Sequence, residues 1–104
     1  MEKIVILVTA GSTQEAEGIA SVLLKERVVA CVNIIDQVQS LFWWEGKIDR
    51  AQEVLLVVKT RKPFLERIIE LVRENHSYDV PEVIALPIIG GNPAYLEWMD
   101  SVLK

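Results

Sequence analysis

Ala30-Cys31-Val32-Asn33-Ile34-Ile35-Asp36-Gln37-Val38-Gln39-Ser40-Leu41-Phe42-Trp43-Trp44 is followed by Glu45-Gly46 and then by Lys47-Ile48-Asp49-Arg50-Ala51-Gln52-Glu53-Val54-Leu55-Leu56-Val57-Val58-Lys59-Thr60. Both runs are rich in β-branched and aromatic residues, the composition of strands. Glu45-Gly46 predicts a tight reversal between them, because Gly accepts the positive φ of hairpin turns. The alternation of the first arm breaks at Asp36-Gln37, which predicts a bulge or bend. Each arm has about 14 residues and spans roughly 45 Å. A body of ~100 residues has a radius of gyration of only ~13 Å. The hairpin should therefore overhang its own domain, with Leu41, Phe42, Trp43 and Trp44 near the tip. Exposed apolar surface and unpaired strand edges are avoided by soluble proteins. The expectation is an obligate homo-oligomer that buries Trp43 and Trp44 at a subunit contact.

The flanks supply the other elements. Ile4–Val8 is a continuous apolar run and reads as a strand buried on both faces. Ser12 with Glu15 forms a capping-box pattern. Ala16, Ile19, Ala20, Leu23 and Leu24 make one apolar helical stripe, closed by Lys25-Glu26-Arg27. Gly18 lies inside that helix at a cost of about 1 kcal/mol relative to Ala, which suggests close packing. Val28 to Trp44 and Lys47 to Thr60 are read as the hairpin arms.

Pro63 suits the first turn of a second helix, whose stripe is Leu65, Ile68, Ile69 and Val72 and which fades at Asn75-His76. A loop covers Ser77–Glu82. Val83–Leu86 is a fourth strand, and Pro87 places its end on an edge. Asn92 and Pro93 open a third helix through Leu96, Met99 and Leu103. The order β-α-β-β-α-β plus a helix defines a ferredoxin-like α+β sandwich: one antiparallel sheet with helices on one face. All of residues 1–104 fit a single domain.

Composition narrows the function. The chain has 104 residues, 51% of them hydrophobic, and a net charge of −4. With no Lys/Arg cluster, bulk electrostatic binding to nucleic acid or anionic membrane is not expected. No apolar run is long enough to span a bilayer. Cys31 is the only cysteine, so no intrachain disulfide forms and a reducing compartment, the cytoplasm, is expected. The run at Ile4–Val8 is too short for a secretory signal, so the mature protein is expected to start where the sequence does.

Chemical motifs are sparse. Phosphate-binding Gly loops, C-x-x-C, H-E-x-x-H and a Ser/His/Asp set are absent. The helix starts at Gly11-Ser12-Thr13 and Gly90-Gly91-Asn92 offer N–H groups, as most helix starts do. Cys31 reads as a buried thiol or as a soft ligand for a metal such as Cu(I). His76 reads as a helix C-cap cation or as a metal ligand needing partners from another chain. Lys59, Glu53 and Glu82 read as surface charge or as a polar cluster near Tyr78. An enzyme with a site built from two chains is the least favoured reading.

Ala30-Cys31-Val32-Asn33-Ile34, Trp43-Trp44-Glu45-Gly46-Lys47-Ile48, Glu53 through Lys59-Thr60, His76-Ser77-Tyr78-Asp79-Val80-Pro81-Glu82 and Tyr95-Leu96-Glu97-Trp98 together resemble the CutA family, the divalent-cation-tolerance group. The resemblance covers nearly the whole chain. It implies a homotrimer with hairpins reaching across to neighbours, no enzymatic reaction, and a role in copper tolerance through divalent metal binding, here through His76. Some bacterial relatives pair a first-strand Cys with a His-His pair after the second helix. The corresponding positions here are Val8 and Asn75-His76. The resemblance also implies a trimer similar to that of PII signalling proteins. The alternative function is therefore a PII-like sensor or adaptor. It would bind a small anionic ligand or a protein at an inter-subunit cleft through Trp44, Lys59, Tyr78 and Glu82.

Overall fold

A computed structural model describes residues 2–103. The strands are β1 (Lys3–Ala10), β2 (Cys31–Trp44), β3 (Lys47–Arg61) and β4 (Val83–Pro87), and the helices are α1 (Thr13–Lys25), α2 (Leu65–Glu74) and α3 (Pro93–Val102). A short 3-10 turn, Lys62–Phe64, carries Pro63 and leads into α2. The strands form one antiparallel sheet in the order β2-β3-β1-β4. This is the ferredoxin-like arrangement expected from the element order. β4 pairs only with β1, so Pro87 lies on an edge strand, where its missing N–H is harmless.

Alternation along the strands sorts the sheet into two faces. Ile4, Ile6 and Val8 of β1 pair with Thr60, Val58 and Leu56 of β3. These side chains are buried and meet Ile19 and Leu23 of α1 and Ile68 and Val72 of α2. The second face carries Val5, Leu7, Leu55 and Val57, which are only half-buried. The expectation that the first strand is buried on both faces is therefore corrected. The reason is α3, which lies on the second face at one end only. Its Asp100 reaches Lys3 at 3.1 Å and Arg61 at 3.5 Å, both on that face by register. Helices thus sit on both faces rather than one.

The hairpin turns at Glu45 and Gly46, whose φ values are +51° and +77°. Two left-handed residues between paired Trp44 and Lys47 are what a type I′ turn requires. The bulge falls where the alternation breaks: Ile35 pairs with Leu55, but Val38 pairs with Glu53, so two residues of β2 oppose one of β3. Gln37 takes φ +61°, and its N–H is held by Asp36 Oδ1 at 2.7 Å. Beyond the bulge Val38, Ser40, Phe42 and Trp44 share the face of Glu53, Ala51 and Asp49.

The molecule measures 44 × 26 × 22 Å, and the long axis is the overhang anticipated from the arm lengths. Trp43 is 74% exposed and Ile48 66%.

Two local expectations change. β2 begins at Cys31 rather than Val28, because Arg27 at φ +58° turns the chain. Val28 and Val29 enter the core as irregular backbone. Gly18 faces solvent, and a Cβ there would meet nothing within 4 Å. Close packing does not explain it.

Candidate functional site

The segment after α2 is locked against the root of the hairpin. α2 ends at Asn75, whose side chain donates to the Leu71 carbonyl at 2.8 Å. His76 then turns inward and its side chain is fully buried. Nε2 lies 2.7 Å from the Thr9 carbonyl oxygen, and Nδ1 lies 3.0 Å from the Tyr78 backbone N–H. A carbonyl only accepts and an N–H only donates, so the ring carries its proton on Nε2 and is neutral in this arrangement. Its one lone pair points at the Tyr78 N–H. Metal ligation by His76, expected from the sequence, requires that hydrogen bond to open. Among the described residues no three His, Cys, Asp or Glu side chains converge as a metal site. The described residues of one chain in this arrangement therefore do not by themselves fit a metal ion.

Glu15 completes the lock. The Ser12 hydroxyl accepts from the Glu15 N–H at 3.1 Å, which is half of a capping box. The Glu15 carboxylate does not return to the Ser12 N–H. It accepts from Gly11 N–H at 3.0 Å and from Ser77 N–H at 2.8 Å. Burial alone pushes this carboxyl up, but the bonds from Gly11 and Ser77 outweigh it, and the net displacement is downward.

Tyr78 points outward from the locked segment toward β3. Its hydroxyl donates to Glu53 Oε2 at 2.9 Å. Burial and then the Glu53 carboxylate push the phenol up to about 12. Glu53 is only 8% exposed. Tyr78 and Glu53 stand in the wall of a cleft of about 850 Å³, with Phe42, Trp44 and Asp49 from the hairpin and Asp79 and Glu82 from the loop.

Three of the four expected ligand-binding residues, Trp44, Tyr78 and Glu82, meet in this cleft. Lys59 does not. It lies six residues along β3 from Glu53, roughly 20 Å away. There it pairs with Cys31 across the sheet and donates to Asn33 Oδ1 at 2.5 Å. Of the expected polar cluster, Glu53 and Glu82 stay with Tyr78 and Lys59 leaves. Cys31 is half-buried, 3.9 Å from Asn33 Oδ1. Sequence reasoning missed Phe42, Asp49 and Asp79 as cleft residues. The turn was the usable signal for Phe42: counted back from Glu45-Gly46, Phe42 pairs with Asp49 and Trp44 with Lys47, which puts both on the face of Glu53.

The fold and the cleft define a ferredoxin-like α+β protein with a ligand-sized hollow at the root of a projecting hairpin. The chain belongs to the CutA1 divalent ion tolerance protein family, whose model matches residues 4–102. It is 48% identical over 98 residues to the Oryza sativa protein CutA 1, chloroplastic, covering 94% of this chain and 55% of that protein. It is 43% identical to the divalent-cation tolerance protein CutA of Thermus thermophilus, covering 91% of this chain and 92% of that one. The chain spans about half the length of the plant and mouse relatives it matches. The crystal structure of CutA1 from Oryza sativa superposes with a TM-score of 0.97 at 44% identity, over 100% of this chain and 95% of that one. The Thermus thermophilus structure gives 0.95 at 40%, over 98% and 99%. The family name describes tolerance to divalent ions and no reaction. Among the described residues no helix is long and apolar enough to cross a membrane.

Proposed function

We propose that this chain acts in divalent-cation tolerance as a homotrimer, in the cytoplasm, without catalysing a reaction. The observation that supports this is the uncovered hairpin. Leu41, Trp43, Trp44 and Ile48 are all at least 60% exposed at its tip. The half-buried second face of the sheet, with Leu7, Leu55 and Val57, offers apolar surface of the kind such a tip needs. Covering both with further copies removes apolar area from water at about 25 cal/mol per Å². The number three is what the resemblance to the family implies, and the family's name points to the divalent cation.

Copper or another divalent ion is the proposed cargo. Among the described residues one chain gathers no ligand set, so the proposed site takes donors from more than one copy, and His76 joins them only if its bond to Tyr78 opens. Sedimentation at micromolar concentration should give three times the chain mass, and a monomer overturns the assembly. Calorimetry with Cu(II) should give saturable heat in the wild type and a reduced signal in His76→Ala at unchanged trimer mass. Equal and negligible heats in both remove the metal reading.

The cleft supports a second reading, a sensor or adaptor that binds a small ligand. Its volume falls in the range of small-molecule sites. Its charge does not match the anion expected from the sequence.

A further inference from the structure

We propose that the Tyr78–Glu53 hydrogen bond is a latch through which the segment after α2 holds the projecting hairpin in position. The hairpin has a hinge at its root. β1 supports β3 only as far as the pair Ala10 and Val54. From Glu53 outward, β2 and β3 have only each other in the sheet. The bulge falls at the same level: Gln37 takes φ +61°, and Val38 opposite Glu53 is the first pair beyond it. A ribbon that loses its third strand where one residue goes unpaired bends most easily there.

Tyr78 spans that hinge. Its ring passes over Gly11, where a Cβ would stand 3.5 Å from the hydroxyl. The hydroxyl donates to Glu53 Oε2 at 2.9 Å. Among the described residues, no other hydrogen bond or ion pair joins residues 38–53 to the rest of the chain.

The other end of the latch is fastened to the body of the domain. His76 Nε2 donates to the Thr9 carbonyl, His76 Nδ1 accepts the Tyr78 N–H, and Glu15 accepts the Ser77 N–H. The His76 and Tyr78 rings lie 4.6 Å apart. Residues 76–78 are thus held as one piece. Glu15 bonds to Gly11 and Ser77 and to no hairpin residue, so a change at Glu15 reaches the hairpin through Tyr78. The tip carries the apolar surface that other copies cover, and the latch sets how that surface is offered to them. This last consequence rests on the assembly proposed above; the latch itself does not.

Residue-resolved hydrogen exchange on the native oligomer tests the device. Tyr78→Phe is expected to speed exchange at the ladder amides of residues 38–42 and 50–53 about tenfold more than at Ile6 and Val58 of the core. Glu53→Leu, which removes the acceptor and keeps the site filled, is expected to act alike. Glu15→Ala is expected to speed the same hairpin amides when Tyr78 is present and to add nothing in Tyr78→Phe. Equal acceleration of hairpin and core in Tyr78→Phe and Glu53→Leu overturns the latch, since the bond would then serve overall stability alone. A Glu15→Ala effect that is absent from the hairpin, or that persists undiminished in Tyr78→Phe, overturns Tyr78 as the link.

Discussion

The Tyr78 hydroxyl donates to Glu53 Oε2 across 2.9 Å, joining the segment after α2 to the strand that leads out of the hairpin. The hydroxyl is the one hydrogen-bond donor that reaches the Glu53 carboxylate among the described residues. Tyr78→Phe should therefore destabilise the fold by about 1–2 kcal/mol, the lower part of the range for a bond to a charged group, because the ring is partly wet. Denaturant melts of wild type and variant measure this. An unchanged midpoint refutes it.

The same bond fixes an alkaline signature. The phenol ionises near 12 in the folded protein against an ordinary value of 10.0. The folded state therefore holds this proton more tightly than the unfolded state. Its contribution to stability is complete below pH 10 and is lost as pH rises through the folded value. Phenolate absorbance should show Tyr78 titrating near 12, and Glu53→Gln should lower that midpoint part of the way. Only part is recovered because burial is the larger cause.

Glu15 has the opposite sign. Its folded carboxyl titrates below the ordinary 4.5, so the unfolded chain takes up the proton first as pH falls. The contribution is present above 4.5 and is lost as pH drops through the folded value. Melting temperatures of Glu15→Gln should be lower than wild type at neutral pH and should converge with it in acid. Parallel curves would exclude the assignment.

Gly18 faces solvent in the middle of α1 with open space at its Cβ position. Gly18→Ala should stabilise the protein by about 0.5–1 kcal/mol, the helix-propensity difference. A loss of stability would mean that another copy packs against this face.

Glu45 holds a left-handed backbone at φ +51°, a conformation that Asn adopts with less strain. Glu45→Asn should raise stability by up to about 1 kcal/mol through the type I′ turn. Chemical denaturation of the oligomer at fixed concentration measures the gain.

Features set by local backbone chemistry are legible in the sequence. Gly46 announces the turn, the broken alternation at Asp36-Gln37 announces the bulge, and Pro93 after Asn92 announces α3. What fails depends on distant partners. Amphipathicity shows that α3 has an apolar side but not which face of the sheet receives it. Glu15 accepts from Ser77, 62 residues away, so its capping pattern hides a second role. Lys59 shares a strand with Glu53, and nothing in the sequence says that the cleft closes before reaching it. Gly18 misleads because an unfavourable residue reads as a sign of packing, when it is simply tolerated.

The hairpin register is counted from Glu45-Gly46, so the tip settles which side chains overlook Glu53, and the odd residue is discharged at Asp36-Gln37 as a bend. Deleting Gln37 should then leave Phe42 and Trp44 in the same wall while re-aiming the whole ribbon. Ligand chemistry and the angle of reach toward neighbouring copies can vary separately, one written at the tip and the other at the root.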